Sequence, residues 1–245
     1  MKIDQVDLQT ADGAMTTWVY HPEVGGPHPV VLYLMDAPSI RPALHDMASR
    51  LSTAGYYVMM PYLFYRGGPF REFGMSDEDM HARRELMAQV TPTSILGDAA
   101  AMLAHADADP AADARRFGVV GFCMSGGLTL ALAKAYPRRM VAGASIHGAW
   151  LVRDSEDSPH LGLDRATAEI YLGWCDNDPT APIADRDTVT AALEDADLPW
   201  SMDFYTDAVH GYAPAGERHN HRAGEQHWER VHDMFFRRLR LPAAH

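Results

Sequence analysis

The distribution of apolar positions divides the chain into short segments of two kinds. Ile3–Gln9 and Met15–His21 read as short strands, followed by a turn containing Gly25, Gly26, Pro27 and Pro29. Val30–Met35 is a continuous apolar run of the kind buried on both faces of a sheet. Ala43–Ala54 carries Leu44, Met47, Ala48 and Leu51 at helical spacing, and Gly55 ends it. Tyr56–Met60 is a second buried strand, closed by Pro61, and Tyr62–Asp77 reads as a long loop through Gly67, Gly68 and Pro69. Helices are expected over Asp77–Val90, Ser94–Ala106, Leu128–Ala135 and Asp185–Asp195, with a final amphipathic one over about Gly224–Leu239. Strands are expected at Arg116–Gly121, Val141–His147, Ala168–Gly173 and Trp200–Tyr205. Strands alternating with helices predict an α/β fold, a mostly parallel central sheet of about 7–8 strands with helices on both faces. No repeat, linker or low-complexity tract divides the chain, so residues 1–245 are expected to form a single domain.

Composition narrows the functional classes. The chain is 47% hydrophobic and 22% charged, as in ordinary globular proteins, with a formal net charge of -12. That charge argues against nucleic acid, because phosphate binding needs a concentrated basic patch. Arg138-Arg139 and Arg237-Arg238 are too short and too diluted by acids to supply one. Met1–Asp4 does not open a signal-peptide core, and no run approaches the roughly 18–20 apolar residues that cross a bilayer. Cys123 and Cys175 make no disulfide framework. The expectation is a cytoplasmic protein with reduced thiols and no membrane partner, a monomer or small homo-oligomer.

Candidate chemistry concentrates at one junction. In Val119-Val120-Gly121-Phe122-Cys123-Met124-Ser125-Gly126-Gly127 an apolar strand runs into a helix with almost no loop. Cys123 occupies the apex, with small residues at minus two (Gly121) and plus two (Ser125). That is the spacing of a nucleophile elbow, whose turn is too sharp for large neighbours and leaves the apex side chain free of the sheet. The helix N-terminus behind the apex favours negative charge on the sulfur, and the Met124 amide is placed to stabilise an oxyanion. A phosphate-cradling loop is excluded, since Gly127-Leu128 stand where Lys and a hydroxyl are needed; no Gly-x-Gly-x-x-Gly is present either. A buried structural cysteine is the plain alternative. Ser125 is a rival nucleophile, but Gly121 ends the strand and so puts the apex at Cys123.

A thiol nucleophile needs a base, and the base an orienting acid. For a nucleophile on such an elbow the chain order is nucleophile, acid, histidine. Gly173-Trp174-Cys175-Asp176-Asn177-Asp178-Pro179 follows a strand, and Val209-His210-Gly211-Tyr212 follows the last one. His210 stands out because a glycine follows it in a loop after what reads as a buried strand. His219, His221, His227 and His232 read as solvated surface, and His219 with His221 lacks a third metal ligand. Asp178 is preferred to Asp176 because it leads into the Pro179–Pro182 turn, where a turn-capping role is the alternative. Neither a metal nor a cofactor is expected.

With these residues in place the chain resembles the dienelactone hydrolase family over essentially its full length. Gly121-Phe122-Cys123-Met124 is similar to that family's Gly-aromatic-Cys elbow, Asp178-Pro179-Thr180-Ala181-Pro182 to its acid turn, and His210-Gly211-Tyr212 to its histidine loop. The resemblance implies an α/β-hydrolase fold and a Cys123–His210–Asp178 triad. It also implies that Asp36, in Met35-Asp36-Ala37-Pro38, contacts the resting nucleophile, and that the Ala37 amide completes an oxyanion hole with Met124. An N-cap role is the alternative for Asp36. Three departures stand out: Ser125 replaces the usual second glycine, Asp36 replaces a glutamate, and the family's substrate-carboxylate arginines fall at His81 and Pro214. Arg66, Arg83 and Arg84 are possible substitutes.

The expected activity is hydrolysis of a small-molecule ester or lactone through a thioester acyl-enzyme, with dienelactone itself disfavoured by the missing arginines. Tyr62-Leu63-Phe64-Tyr65, Arg66, Trp150 and Tyr212 are candidate pocket residues, against ordinary packing. Alternatives are an aryl-ester or phosphotriester hydrolase with the same triad, a thiol redox protein using Cys123 and Cys175, and a non-catalytic binding domain.

Overall fold

The computed structural model describes residues 1–74 and 76–241; Met75, inside the expected loop, lies outside them. In chain order the elements are β1 (Lys2–Thr10), β2 (Gly13–His21), β3 (His28–Leu34), α1 (Pro42–Thr53), β4 (Tyr57–Pro61), α2 (Asp77–Met87), α3 (Ser94–Ala108) and β5 (Ala112–Phe122). They continue with α4 (Gly126–Ala135), β6 (Met140–Ile146), β7 (Glu169–Asn177), α5 (Ile183–Asp195), β8 (Trp200–Val209) and α6 (His221–Phe235). Among the described residues the eight strands join one sheet in the order β1-β2-β4-β3-β5-β6-β7-β8. The β1–β2 and β2–β4 pairs are antiparallel and every other pair is parallel.

The apolar runs explain the centre of that sheet. Val30–Leu34 and Tyr57–Met60 are completely buried, as strands covered on both faces must be. Alternation along β5 shows what covers each face. A side chain at Gly118 would meet Phe235 and Leu239, whereas one at Gly121 would meet Thr129 of α4. Helices α1 and α6 are joined by Arg50 on Glu225 at 2.8 Å. The Tyr136 hydroxyl, just past α4, donates to Leu96 of α3. Among the described residues no helix is long and apolar enough to cross a membrane.

Strand ends differ from the sequence expectation for physical reasons. β5 starts at Ala112 rather than Arg116, because Ala112 and Asp113 pair with His28 and Pro29 before the register shifts. β7 continues past Gly173 to Asn177 because Trp174 and Cys175 stay in register with Phe204 and Tyr205. β8 runs on to Val209 and is a half-exposed edge strand, not a buried one. Its polar tail, Thr206 and Asp207, reflects that edge position. The segment expected as loop contains one short helical turn at Tyr65–Gly67.

Candidate active site

The parallel strands bring their carboxyl ends to one edge, where loops and helix N-termini collect. β5 ends there at Phe122, a 3₁₀ turn spans Cys123–Ser125, and α4 begins at Gly126. Cys123 has φ 54°, a left-handed conformation that costs a non-glycine residue roughly 1–2 kcal/mol. The small neighbours are required by contact. A Cβ at Gly121 would lie 2.3 Å from the Ser125 carbonyl oxygen, and one at Gly126 would lie 2.3 Å from Gly148 Cα. Ser125 is fully buried and its hydroxyl donates to the Met35 carbonyl at 2.6 Å. This bond ties the elbow to the loop after β3 and commits Ser125 to structure.

Cys123 is half-buried, and its sulfur lies 3.0 Å from His210 Nε2. His210 follows β8 directly and is turned by Gly211 at φ 86°. Its Nδ1 donates to Asp178 Oδ2 at 2.6 Å, while Asp176 is exposed. The Asp178 side chain is only 1% exposed. Its Oδ1 accepts from the Thr180 amide at 2.8 Å and the Thr180 hydroxyl at 2.6 Å, and Oδ2 also accepts from the Cys175 thiol at 3.5 Å. Burial opposes charge on Asp178, but hydrogen bonds from His210 and Thr180 outweigh it and bring the carboxyl down to about 2. Burial likewise opposes the His210 cation, yet bonds to Asp178 and Cys123 raise it to about 10. Burial pushes the Cys175 thiol up instead, beside the Asp178 charge.

Asp36 behaves differently from the expectation. Its two oxygens accept from Arg41 Nη1 and Nη2 at 2.6 and 2.9 Å, a bidentate ion pair, and its hydrogen bonds go to that guanidinium rather than to the sulfur. Burial pushes the Asp36 carboxyl up while Arg41 pulls it back. Cys123 lies near enough to help raise the Arg41 cation. Arg41 was not legible as a site residue, since nothing in a Pro38-Ser39-Ile40-Arg41 loop marks it. Ala37, next in the same loop, is half-buried, and Met124 sits within the first turn after the apex, where backbone N–H groups lack intrahelical acceptors.

The candidate pocket residues fare unequally. Trp150 lies beside the elbow: its carbonyl oxygen would be 2.7 Å from a Cβ at Gly127, and it borders a small cleft with Met124 and Arg153. Tyr65 and Arg66 are engaged elsewhere. The Tyr65 hydroxyl donates to Asp98 Oδ1, and Arg66 bridges Asp98 at 2.7 Å and Asp12 at 2.8 Å, which locks the segment onto α3 and the β1–β2 turn. Tyr212 is completely buried beneath the site and cannot wall an open pocket. His81 is exposed and pairs with Glu85.

Behind His210 lies a second imidazole that sequence reasoning missed. His147 is buried, its ring stands 5.2 Å from those of His210 and Tyr212, and burial and the nearby His210 lower its pKa well below the usual value. It follows β6 as His147-Gly148, the same pattern that singled out His210-Gly211. His227 also corrects the surface reading. It is fully buried on the inner face of α6 with Trp228 and Val231, and burial lowers it to about 3.

Comparison with known proteins identifies the family and the fold. The sequence profile of the dienelactone hydrolase family matches residues 15–239. A carboxymethylenebutenolidase of Rhodococcus opacus is 25% identical over 219 residues, 87% of this chain and 83% of the relative. A Synechocystis sp. protein provisionally described by the same name is 26% identical over 239 residues, 96% of each chain. Among solved structures, a provisionally described dienelactone hydrolase of Klebsiella pneumoniae superposes with a TM-score of 0.84 at 20% identity, covering 96% of this chain and 98% of its own. A dienelactone hydrolase-like promiscuous phosphotriesterase from metagenomic libraries gives 0.78 at 18% identity, covering 97% and 98%. At those identities the structural likeness speaks for the fold alone.

Proposed function

The chain belongs to the dienelactone hydrolase family, and on that premise we propose that it hydrolyses carboxylic esters or lactones through Cys123, His210 and Asp178. The observation that carries this reading is the sulfur 3.0 Å from an imidazole whose far nitrogen is held at 2.6 Å by a buried carboxylate, all at a left-handed elbow. In the first step the Cys123 thiolate attacks the acyl carbon, and the Ala37 and Met124 amides hold the oxyanion. One such donor is typically worth about 3–4 kcal/mol of barrier. Collapse breaks the C–O bond, and His210 Nε2 delivers its proton to the departing alkoxide. His210 then takes a proton from water, which cleaves the thioester, frees the acid and restores the sulfur. Asp178 fixes the imidazole orientation and stabilises its cation throughout.

The two positions that the family resemblance gives to substrate-carboxylate arginines hold His81 and Pro214, which disfavours dienelactone. Arg66 is consumed by Asp98 and Asp12, Arg41 by Asp36, and position 214 is a proline. A second reading is phosphotriester hydrolysis, because the same sulfur can displace an aryloxide from phosphorus; a promiscuous phosphotriesterase shares the fold. A disulfide reading is disfavoured, since Cys175 is buried and donates to Asp178 at the opposite end of the imidazole. We place the protein in the cytoplasm, its residues 1–245 acting as one hydrolase domain alone or as a small homo-oligomer, with both thiols free.

A panel of aryl esters, lactones, dienelactone and an aryl phosphotriester, run with wild type, Cys123→Ala and His210→Ala, tests the proposal. Esterase or lactonase turnover lost in both variants supports it. Full turnover in Cys123→Ala, or an activity that survives His210→Ala unchanged, contradicts it.

A further inference from the structure

The acid of the triad is more heavily hydrogen-bonded than orientation by its own turn requires. Asp178 Oδ1 takes two bonds from one residue, the Thr180 amide at 2.8 Å and the Thr180 hydroxyl at 2.6 Å. The same hydroxyl oxygen lies 3.0 Å from His210 Nδ1. A hydroxyl carries one proton, and at 2.6 Å that proton is directed at the carboxylate, which turns an oxygen lone pair toward the imidazole. The Nδ1 proton therefore meets two acceptors, Asp178 Oδ2 at 2.6 Å and Thr180 Oγ1 at 3.0 Å. Two acceptors on one proton define the plane of the ring as well as the direction of its bond. Nε2 is then aimed at the sulfur 3.0 Å away.

We propose that Thr180 is a positioning residue of the hydrolytic site, its hydroxyl fixing the rotation of the Asp178 carboxylate and the tilt of the His210 ring. This rests on the triad reading above. Without the hydroxyl, Asp178 keeps its bond from the Thr180 amide but can rotate about its terminal torsion. The imidazole then has one acceptor and a wider range of tilts. The ground-state pocket is unchanged, so binding is preserved while the proton transfers, which need Nε2 in line with the sulfur and the leaving oxygen, slow down. Thr180 is exposed, and Thr→Val keeps its volume and β-branching, so the fold is retained.

The test compares wild type, Thr180→Val, Thr180→Ala and Thr180→Ser on the best aryl ester, with the downfield His210 Nδ1 proton resonance as an independent readout. Thr180→Val and Thr180→Ala are expected to lower kcat about tenfold, the usual scale for losing an orienting partner, with KM within about twofold. Thr180→Ser should restore both kcat and the resonance position, which differ from wild type in the other two. A merely structural role would shift thermal stability without moving the resonance. Wild-type kcat and resonance in Thr180→Val, with Cys123→Ala inactive, overturn the role of Thr180 and leave the triad standing. Activity surviving in Cys123→Ala removes the triad reading itself.

Discussion

Replacing Gly121 by alanine adds one methyl group at the tightest point of the elbow, and the structure fixes what that methyl meets. It would lie 2.3 Å from the Ser125 carbonyl oxygen, 2.8 Å from the Ser125 carbonyl carbon and 2.8 Å from Thr129 Oγ1. Two of those atoms are backbone, so no rotamer change relieves the overlap. The first turn of α4 must move away from β5. Overpacking of a dense interior costs typically 1–3 kcal/mol, and backbone overlaps this close place the cost near 3 kcal/mol. For a chain of this size that corresponds to a Tm lowered by roughly 6–12 °C. The same movement carries Cys123 relative to His210, whose loop is anchored separately on β8, and a displacement near 1 Å costs on the order of 100-fold in rate. Thermal melts and kcat/KM on an aryl ester would be measured for Gly121→Ala beside Gly97→Ala. Gly97 lies within α3 and a methyl there meets nothing within 4 Å, so that control should gain up to about 1 kcal/mol from helix propensity and keep full activity. A Gly121→Ala protein with unchanged Tm and kcat/KM within twofold would refute the idea that this contact sets the elbow.

Other outcomes follow from the same geometry. Ser125→Ala should keep Cys123 alkylation and ester turnover while losing about 1–3 kcal/mol, because it leaves the buried Met35 carbonyl without its donor; loss of turnover with intact folding would count against Cys123. Cys123→Gly should be more stable than Cys123→Ala by roughly 0.5–1 kcal/mol in urea unfolding, since glycine accepts φ 54° freely, and a less stable glycine variant would show the apex to be unstrained. Arg66→Ala should destabilise by about 3–5 kcal/mol, because it strands the buried Asp98 carboxylate, and leave KM unchanged; a selective KM effect would return Arg66 to the pocket. His210 titrates above its ordinary value, so the stability it adds is complete below pH 6.5 and lost as pH rises through about 10. Asp178 titrates below its ordinary value, so its contribution is complete above pH 3.8 and lost as pH falls through about 2. Urea midpoints at pH 7 and 10.5 should therefore fall more in wild type than in His210→Gln, and equal falls would show the imidazole to be weakly coupled.

The legible parts of the fold and the site were those written in local pattern. Val30–Leu34 and Tyr57–Met60 announce buried strands because both faces are covered, and Gly121 and Ser125 announce the elbow because its contacts forbid larger residues. β8 was misjudged because an edge strand needs apolar residues on only part of its surface, so its polar tail hid four residues of strand. His147-Gly148 and His210-Gly211 present the same local signal, and chain order alone separates them, since His147 precedes the acid. Arg41 and Thr180 carry no local signal, and His227 reads as surface, for a different reason. Each owes its place to a partner reached through tertiary packing or a loop, as Arg41 does to Asp36 and Thr180 to His210. The sequence leaves Tyr212 open between pocket wall and core packing because aromatic residues serve both, and only its burial decides for packing.

The most direct measurement is mass spectrometry of the protein quenched during turnover of a slowly deacylating aryl ester. An acyl group carried as a thioester on Cys123, absent from Cys123→Ala and accumulating in His210→Gln treated with an activated aryl ester, is the predicted result. An acyl group found on Ser125, or steady turnover with Cys123 unmodified and fully replaceable, would contradict the central claim.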